Sequence, residues 1–164
     1  AAFGSNNTSQ DLPYSTMTVE EIASMPVQEI AAGDAHLYMW VTNKYLPDSF
    51  DVINAWGFKY STTIVWTKTS MGVGLKNTHR VNTEFLLFAI RGTLKAKQIN
   101  PTTWYQVKRQ YENGHPCHSR KPYFFYSLIS QTSPGNRIEL FARQKVDGWD
   151  CWGNEVESDI QMIV

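Results

Sequence analysis

The stretch Arg137 to Glu155, RIELFARQKVDGWDCWGNE, carries an acid and an arginine where chemistry is possible. Ile138, Leu140 and Ala142 alternate with Glu139, Phe141 and Arg143. That alternation reads as a strand, started by the turn Ser133-Pro134-Gly135-Asn136. Glu139 and Arg143 are poor choices for a strand that only packs. At the carboxyl end of a central strand they suit a ligand. A glutamate can accept hydrogen bonds from a ribose diol, as in dinucleotide-binding folds, and a guanidinium offers several donors in a fixed fork. Further on, Gly153-Asn154-Glu155 sets a permissive glycine before two polar side chains. An edge strand followed by a polar loop would show the same residues, and this stretch alone does not separate the two readings.

The formal net charge is zero, but the charge is unevenly spread. Residues 1–57 hold one basic residue and seven acidic ones, residues 58–145 fourteen and three, and residues 146–164 none and five. The middle therefore carries +11 between flanks of −6 and −5. Such asymmetry points to a polyanionic partner, although a solvated basic surface would look the same. In residues 93–123, Lys95, Lys97, Lys108, Arg109, Arg120 and Lys121 are interleaved with Trp104, Tyr105, Tyr111 and Tyr123. Cations for phosphates and aromatic faces for bases are what nucleic-acid contact requires. His115, Cys117 and His118 lie in the same stretch. Their spacing is too tight for an ordinary structural zinc site, so no metal is expected.

These residues need elements to hold them. At 164 residues with 42% apolar side chains, the chain reads as one domain with a real core. It has no run of about 18 apolar residues, so no membrane span is expected. Cys117 and Cys151 suggest no disulfide framework and fit a reducing compartment. The first ten residues read as loop, and an element N-terminal to them is expected. Thr18 and Glu21 form a capping box for a helix with Val19, Ile22 and Met25 on its apolar face, stopped by Pro26. Residues 36–42 read as a buried strand, Pro47 to Trp56 as a helix closed by Gly57, and residues 58–68 as the next strand. This order implies a parallel crossover. A loop follows over 69–82, then a strand over 83–90. A helix after Pro122 buries Phe125, Leu128 and Ile129 and leads back to the strand of Glu139. The sum is an open α/β sheet of the doubly wound kind, with Thr42-Asn43, Lys68, Arg91 and Arg143 at the strand ends that bind ligands.

The strings DLPYSTM (11–17), WVTN (40–43), WGF (56–58), WTK (66–68), HSRKP (118–122), SPG (133–135), IELFAR (138–143) and WGNE (152–155) occur in that order. The ordered set resembles the MT-A70-like adenine N6-methyltransferases. That family includes the catalytic subunit of the eukaryotic mRNA adenosine-methylation writer and many bacterial and phage DNA methylases. The resemblance covers roughly residues 11–156. It implies a Rossmann-like, mostly parallel sheet with helices on both faces, formed by residues 1–164 as a single methyltransferase domain. It also implies methyl transfer from S-adenosylmethionine to the exocyclic nitrogen of adenine.

Roles carry over residue by residue. The Ser-x-Lys-Pro string implicates Ser119 and Lys121 at the methionine end of the cofactor. Glu139 and Arg143 would hold its ribose, and Asn154 and Glu155 its adenine and sugar. Tyr14 falls in the loop over the target base, and Glu84 matches an acid near the acceptor adenosine; a satisfied strand-end acid is the plain alternative for Glu84. Lys95, Lys97, Lys108 and Arg109 are the expected phosphate contacts. The family's Asp-Pro-Pro-Trp string has no match in the sequence and is expected just upstream of residue 1, at the end of the sheet's first strand. A chain starting at Ala1 is then expected to be inactive. Lys145 receives no role. The expected partner is nucleic acid, DNA more than RNA, with no membrane and with a homodimer or a related partner subunit. The expected location is the cytoplasm of a bacterial or phage-infected cell, or the nucleus in a eukaryote. The competing expectation is a catalytically silent homologue that binds nucleic acid or scaffolds an active partner.

Overall fold

The computed structural model describes residues 16–69, 79–112, 115–116 and 120–162. Thr18 opens helix α1 (Val19–Ser24) through the expected capping box. Its hydroxyl accepts from the Glu21 amide at 3.2 Å, and the Glu21 carboxylate accepts from the Thr18 amide at 2.6 Å. After Pro26 comes the single turn α2 (Val27–Ile30), then strand β1 (Ala35–Val41), a short 3-10 turn (Asn43–Tyr45) and helix α3 (Leu46–Ala55). Gly57 has φ +77, a conformation that L side chains rarely adopt, and it turns the chain into β2 (Lys59–Thr67). There follow β3 (Thr83–Arg91), β4 (Trp104–Gln106), the small ribbon β5 (Tyr111–Glu112) and β6 (His115–Pro116), helix α4 (Tyr123–Thr132), β7 (Ile138–Leu140) and β8 (Asp150–Trp152).

The main sheet has the order β1-β3-β2-β4. Strand β3 is antiparallel to both β1 and β2, and β4 is parallel to β2. So β1 and β2 do run parallel, as the strand–helix–strand order implies, but β3 is inserted between them. The insertion brings the start of β3 to the edge where β1 and β2 end. Val41 faces Phe85, Trp66 faces Glu84 and Thr67 faces Thr83. Arg91, expected in the ligand crevice, ends β3 at the opposite edge beside Ala35. There it donates to the carbonyls of Gln28 at 3.0 Å and Ala31 at 3.3 Å.

Both faces of the sheet are covered. Met39, Val41, Leu87 and Ala89 pack with Ile22 of α1 and with Val52 and Ile53 of α3. On the other face Ile64, Trp66 and Leu86 pack with Phe125 and Leu128 of α4, and Tyr38 and Trp40 join them. Residues of β1 thus alternate between two cores, which explains its nearly continuous apolar sequence. The result is an α/β fold with helices on both faces of a mixed sheet.

The strand expected to reach Arg143 stops at Leu140. Phe141 has φ +59, in the left-handed region disfavoured for a bulky side chain, and breaks the extended run. Among the described residues β7 pairs with β8, in parallel, as a separate two-stranded sheet. A directed polar chain ties the turn before β7 to β1. His36 Nε2 lies 2.9 Å from the Leu94 carbonyl and donates to it, and in the neutral imidazole Nδ1 then accepts from the Ser133 hydroxyl at 2.7 Å. Tyr38 then donates to Ser133 at 2.9 Å. Ser133→Ala should leave two partly buried groups without this partner and cost about 1–3 kcal/mol. Urea denaturation would measure it.

Candidate active site

Three polar clusters stand beside these elements. The first lies at the edge where β1 and β2 end. Glu84, the second residue of β3, accepts from Lys68 on one carboxylate oxygen and from Lys121 on the other. Lys68 follows β2 and Lys121 precedes α4. All three are largely enclosed, with side-chain exposures of 12% for Lys68, 14% for Glu84 and 14% for Lys121. The floor is aromatic. Lys121 lies 4.9 Å from the Trp40 ring and Lys68 5.0 Å from the Trp66 ring, in cation–π range. Phe125 packs edge-to-face with both tryptophans.

The charge balance of this triad is uneven, since one carboxylate serves two ammonium groups. Burial pushes the Glu84 carboxyl up, but Lys121 beside it and hydrogen bonds from both lysines prevail and hold it below the ordinary carboxylate range. Burial pushes Lys68 down, Arg109 and Lys121 add to that, and Glu84 only partly opposes it. The cluster is an ionised acid in a cationic, partly dry setting. Such an acid can accept from an amine presented to it.

The second cluster surrounds Glu139 in the middle of β7. Tyr126, one helix away, donates to Glu139 with its hydroxyl 2.9 Å from one oxygen and 3.0 Å from the other. Trp149 packs its ring across Tyr126 at 5.4 Å. Burial raises the Glu139 carboxyl above its ordinary value, and the Tyr126 hydrogen bond opposes this only in part. Burial and the adjacent Glu139 carboxylate push the Tyr126 phenol far up, so it stays a donor.

The third cluster joins the segment just after β7 to the late turn. Arg143 Nε donates to Glu155 at 2.9 Å. Gly153 is required here for close approach rather than for a left-handed φ. A Cβ at this position would run into the backbone oxygen and nitrogen of Ala142. Ala142 in turn donates its amide to the Trp152 carbonyl at 2.9 Å. The two segments singled out in the sequence, Glu139–Arg143 and Gly153–Glu155, are thus fastened to each other.

The expected phosphate contacts are divided. Because β4 runs parallel to β2, it ends at the Glu84 edge. The Trp66 indole donates to the Val107 carbonyl at 2.8 Å, and Arg109, two residues on, comes close enough to Lys68 to act on its charge, with Lys108 between Val107 and Arg109 in the chain. Lys95 and Lys97 follow the opposite end of β3. Lys95 is exposed, and Lys97 Nζ donates to the Ser130 carbonyl at 2.6 Å in the last turn of α4. Tyr14, Ser119, Cys117 and His118 lie outside the described residues. Of the donors that hold the acids, Lys121 and Arg143 were expected at the site, whereas Tyr126 was not. Lys68 was expected at a ligand-binding strand end but not as a partner of Glu84, and no periodicity links Tyr126 to Glu139 across a turn.

Residues 4–155 match the model of the MT-A70 family. The chain belongs to that family. Within it, the α/β architecture described above is a Rossmann-like methyltransferase fold. The chain is 32% identical over 151 residues to the type II methyltransferase M.MunI of a Mycoplasma species, covering 91% of this chain and 62% of the relative. It is 29% identical to a putative N(6)-adenosine-methyltransferase MT-A70-like protein of Medicago truncatula, covering 93% of this chain and 25% of the relative. It is 27% identical to the human N(6)-adenosine-methyltransferase catalytic subunit METTL3, covering 90% of this chain and 26% of the relative. The chain therefore spans less than two thirds of each of these relatives. No described helix is long and apolar enough to cross a membrane.

Proposed function

We propose that this protein transfers a methyl group from S-adenosylmethionine to the N6 amino group of adenine in nucleic acid, DNA in preference to RNA. The observation that carries the reading is the Glu84 carboxylate, held ionised by Lys68 and Lys121 over Trp40 and Trp66 in a chain of the MT-A70 family. The preference for DNA is supported by the match to M.MunI, which is higher in identity and covers more of that relative than the match to METTL3.

The residues present fit the cofactor. Glu139 is a partly buried carboxylate whose oxygens share one hydroxyl donor, Tyr126. Lone pairs remain on it for a vicinal diol. In this reading Glu139 and Arg143 hold the ribose, and Asn154 and Glu155 contact the adenine and sugar. Ser119 and Lys121 take the methionine end. An ammonium has three donors, so Lys121 can serve both Glu84 and a cofactor carboxylate. The bound cofactor supplies an electrophilic methyl on a sulfonium.

The chain's task is positioning. An adenine amine is a weak nucleophile, because its lone pair is delocalised into the ring. Glu84 accepts one amine N–H and fixes the orientation of the nitrogen, while Tyr14 covers the base. Holding the reacting groups in line removes much of the entropic part of the barrier. Residues 1–164 belong to a single methyltransferase domain, with a second copy or a related subunit as partner. Incubating the whole protein, rather than a chain starting at Ala1, with tritiated-methyl cofactor and matched duplex DNA, single-stranded DNA and RNA tests this. Label should enter DNA more than RNA; equal or greater labelling of RNA would overturn the preference.

Lys108 and Arg109 contact phosphates beside the site. Lys108→Ala should lower affinity alike for cognate and non-cognate sequences and flatten the log-affinity versus log-salt slope by about one unit. Lys97→Ala removes a ligand of the α4 carboxyl end and should leave that slope in place. Filter binding over a salt series separates the two.

A further inference from the structure

The chain beyond Glu155 returns to the site. The Asp159 amide donates to the Cys151 carbonyl at 2.8 Å. The Asp159 carboxylate accepts from the Cys151 amide at 3.0 Å and from the Cys151 thiol at 3.2 Å. Its other oxygen accepts from Lys145 at 2.8 Å. One residue back, the Ser158 hydroxyl accepts from the Gly153 amide at 3.1 Å and lies 3.4 Å from the Gly153 carbonyl, to which it donates. Residues 151–159 therefore form a closed loop. Its ends are tied at Cys151 and Asp159, and Asn154 and Glu155 lie at its far side.

Such a tie is needed. Strands β7 and β8 are three residues each, and a two-stranded sheet of that length is marginal by itself. The turn is fastened on its first side by Gly153 against Ala142 and by Arg143 on Glu155. Asp159 and Ser158 fasten it on the other. Donors and acceptors match at neutral pH. Burial, then the adjacent Asp159 carboxylate, push the Cys151 thiol up, so it stays a donor. Hydrogen bonds from Lys145 and Cys151 hold Asp159 down, so it stays an acceptor. The same tie accounts for Lys145, which had no role until Asp159 supplied its partner.

We propose that Asp159, assisted by Ser158, is a positioning residue that holds the Gly153-Asn154-Glu155 turn in the conformation that reads the cofactor; the inference rests on that turn being part of the cofactor site. Asp159 touches the turn through strand β8 and Ser158, and it acts through Asn154 and Glu155.

The test is calorimetric titration of S-adenosylmethionine into the whole protein, wild type beside Asp159→Ala, Ser158→Ala and Asn154→Ala, with nucleic-acid affinity measured in parallel. Asp159→Ala should weaken cofactor affinity roughly ten-fold, Ser158→Ala by a smaller factor, and neither should change nucleic-acid affinity. Amide hydrogen exchange should rise at Cys151, Gly153 and Asp159 and stay unchanged in β3. Ser158→Ala removes only the contacts to Gly153, so it reports on the turn even where Asp159→Ala folds poorly. Wild-type cofactor affinity in the Asp159 and Ser158 variants, with affinity lost in Asn154→Ala, would overturn the clasp and leave the site standing. Unchanged affinity in Asn154→Ala as well would overturn both. Exchange that rises uniformly across the protein would reduce Asp159 to a general stabiliser and overturn its positioning role.

Discussion

Replacing Glu84 with alanine is expected to abolish methyl transfer and to destabilise the fold by about 3–5 kcal/mol. The stability loss comes from what stays behind. Lys68 and Lys121 would keep their positions over Trp66 and Trp40, with side-chain exposures of 12% and 14% and no carboxylate between them. Removing one partner of an enclosed ion pair costs more than forming the pair ever contributed, because the remaining charge is desolvated and uncompensated. Glu84→Gln keeps the volume and one acceptor and should lose less stability, but it cannot offer the charged acceptor the amine requires. Urea denaturation and a methyl-transfer assay on both variants separate the two effects.

The same triad gives a pH dependence with a definite sign. The folded state holds Glu84 below the ordinary carboxylate range. Its contribution to stability is therefore complete above the unfolded carboxylate pKa and is lost as pH falls through the lower folded value. Wild type should lose stability on acidification, and Glu84→Gln should lose less over the same interval.

Glu139→Gln is expected to reduce cofactor affinity roughly 10- to 150-fold, the range for losing a hydrogen bond to a charged group. It should do so while making the unliganded protein slightly more stable at neutral pH. Burial raises the Glu139 carboxyl, so the folded state takes up its proton more readily than the unfolded chain. The contribution to stability is then favourable at low pH and falls as pH rises from the ordinary carboxylate value through the raised one. A neutral glutamine escapes that penalty and can still accept from Tyr126. Opposite movement of affinity and melting temperature in one variant marks a group kept for function. If both fall together, Glu139 is an ordinary structural acid.

Much of the architecture was legible because local patterns and tertiary demands agree. The capping box at Thr18, the glycine after Trp56 and the two-core alternation of β1 each follow from spacing and side-chain type. Strand order was not legible. Nothing in the residues of β3 says that it lies between β1 and β2 or runs against them, and that insertion moved Arg91 out of the crevice and brought Glu84 into it. The length of the Glu139 strand was misread because alternation continues through Phe141, whose left-handed backbone depends on its surroundings. Of the site, the acids, Lys68, Lys121 and Arg143 could be named from the sequence, since charged residues beside apolar strands stand out. Which group holds which could not, and Tyr126 and Asp159 were not named at all. Lys68 lies 16 residues from Glu84 and Tyr126 13 from Glu139, while Asp159 lies 8 from Cys151 and 14 from Lys145, separations that carry no periodic signal.

The central claim is that the Glu84 cluster presents an adenine amine for methylation. The most direct measurement uses S-adenosylmethionine carrying a deuterated methyl group. Adenine-containing DNA is incubated with the whole protein, wild type or Glu84→Gln, and the nucleosides released by digestion are analysed by mass spectrometry. The account predicts label on the N6 position of deoxyadenosine for wild type and its loss in Glu84→Gln. Label on cytosine, or undiminished N6 labelling by Glu84→Gln, would contradict it. A wild-type protein that binds the cofactor and nucleic acid but transfers nothing would contradict it too and would favour the catalytically silent reading.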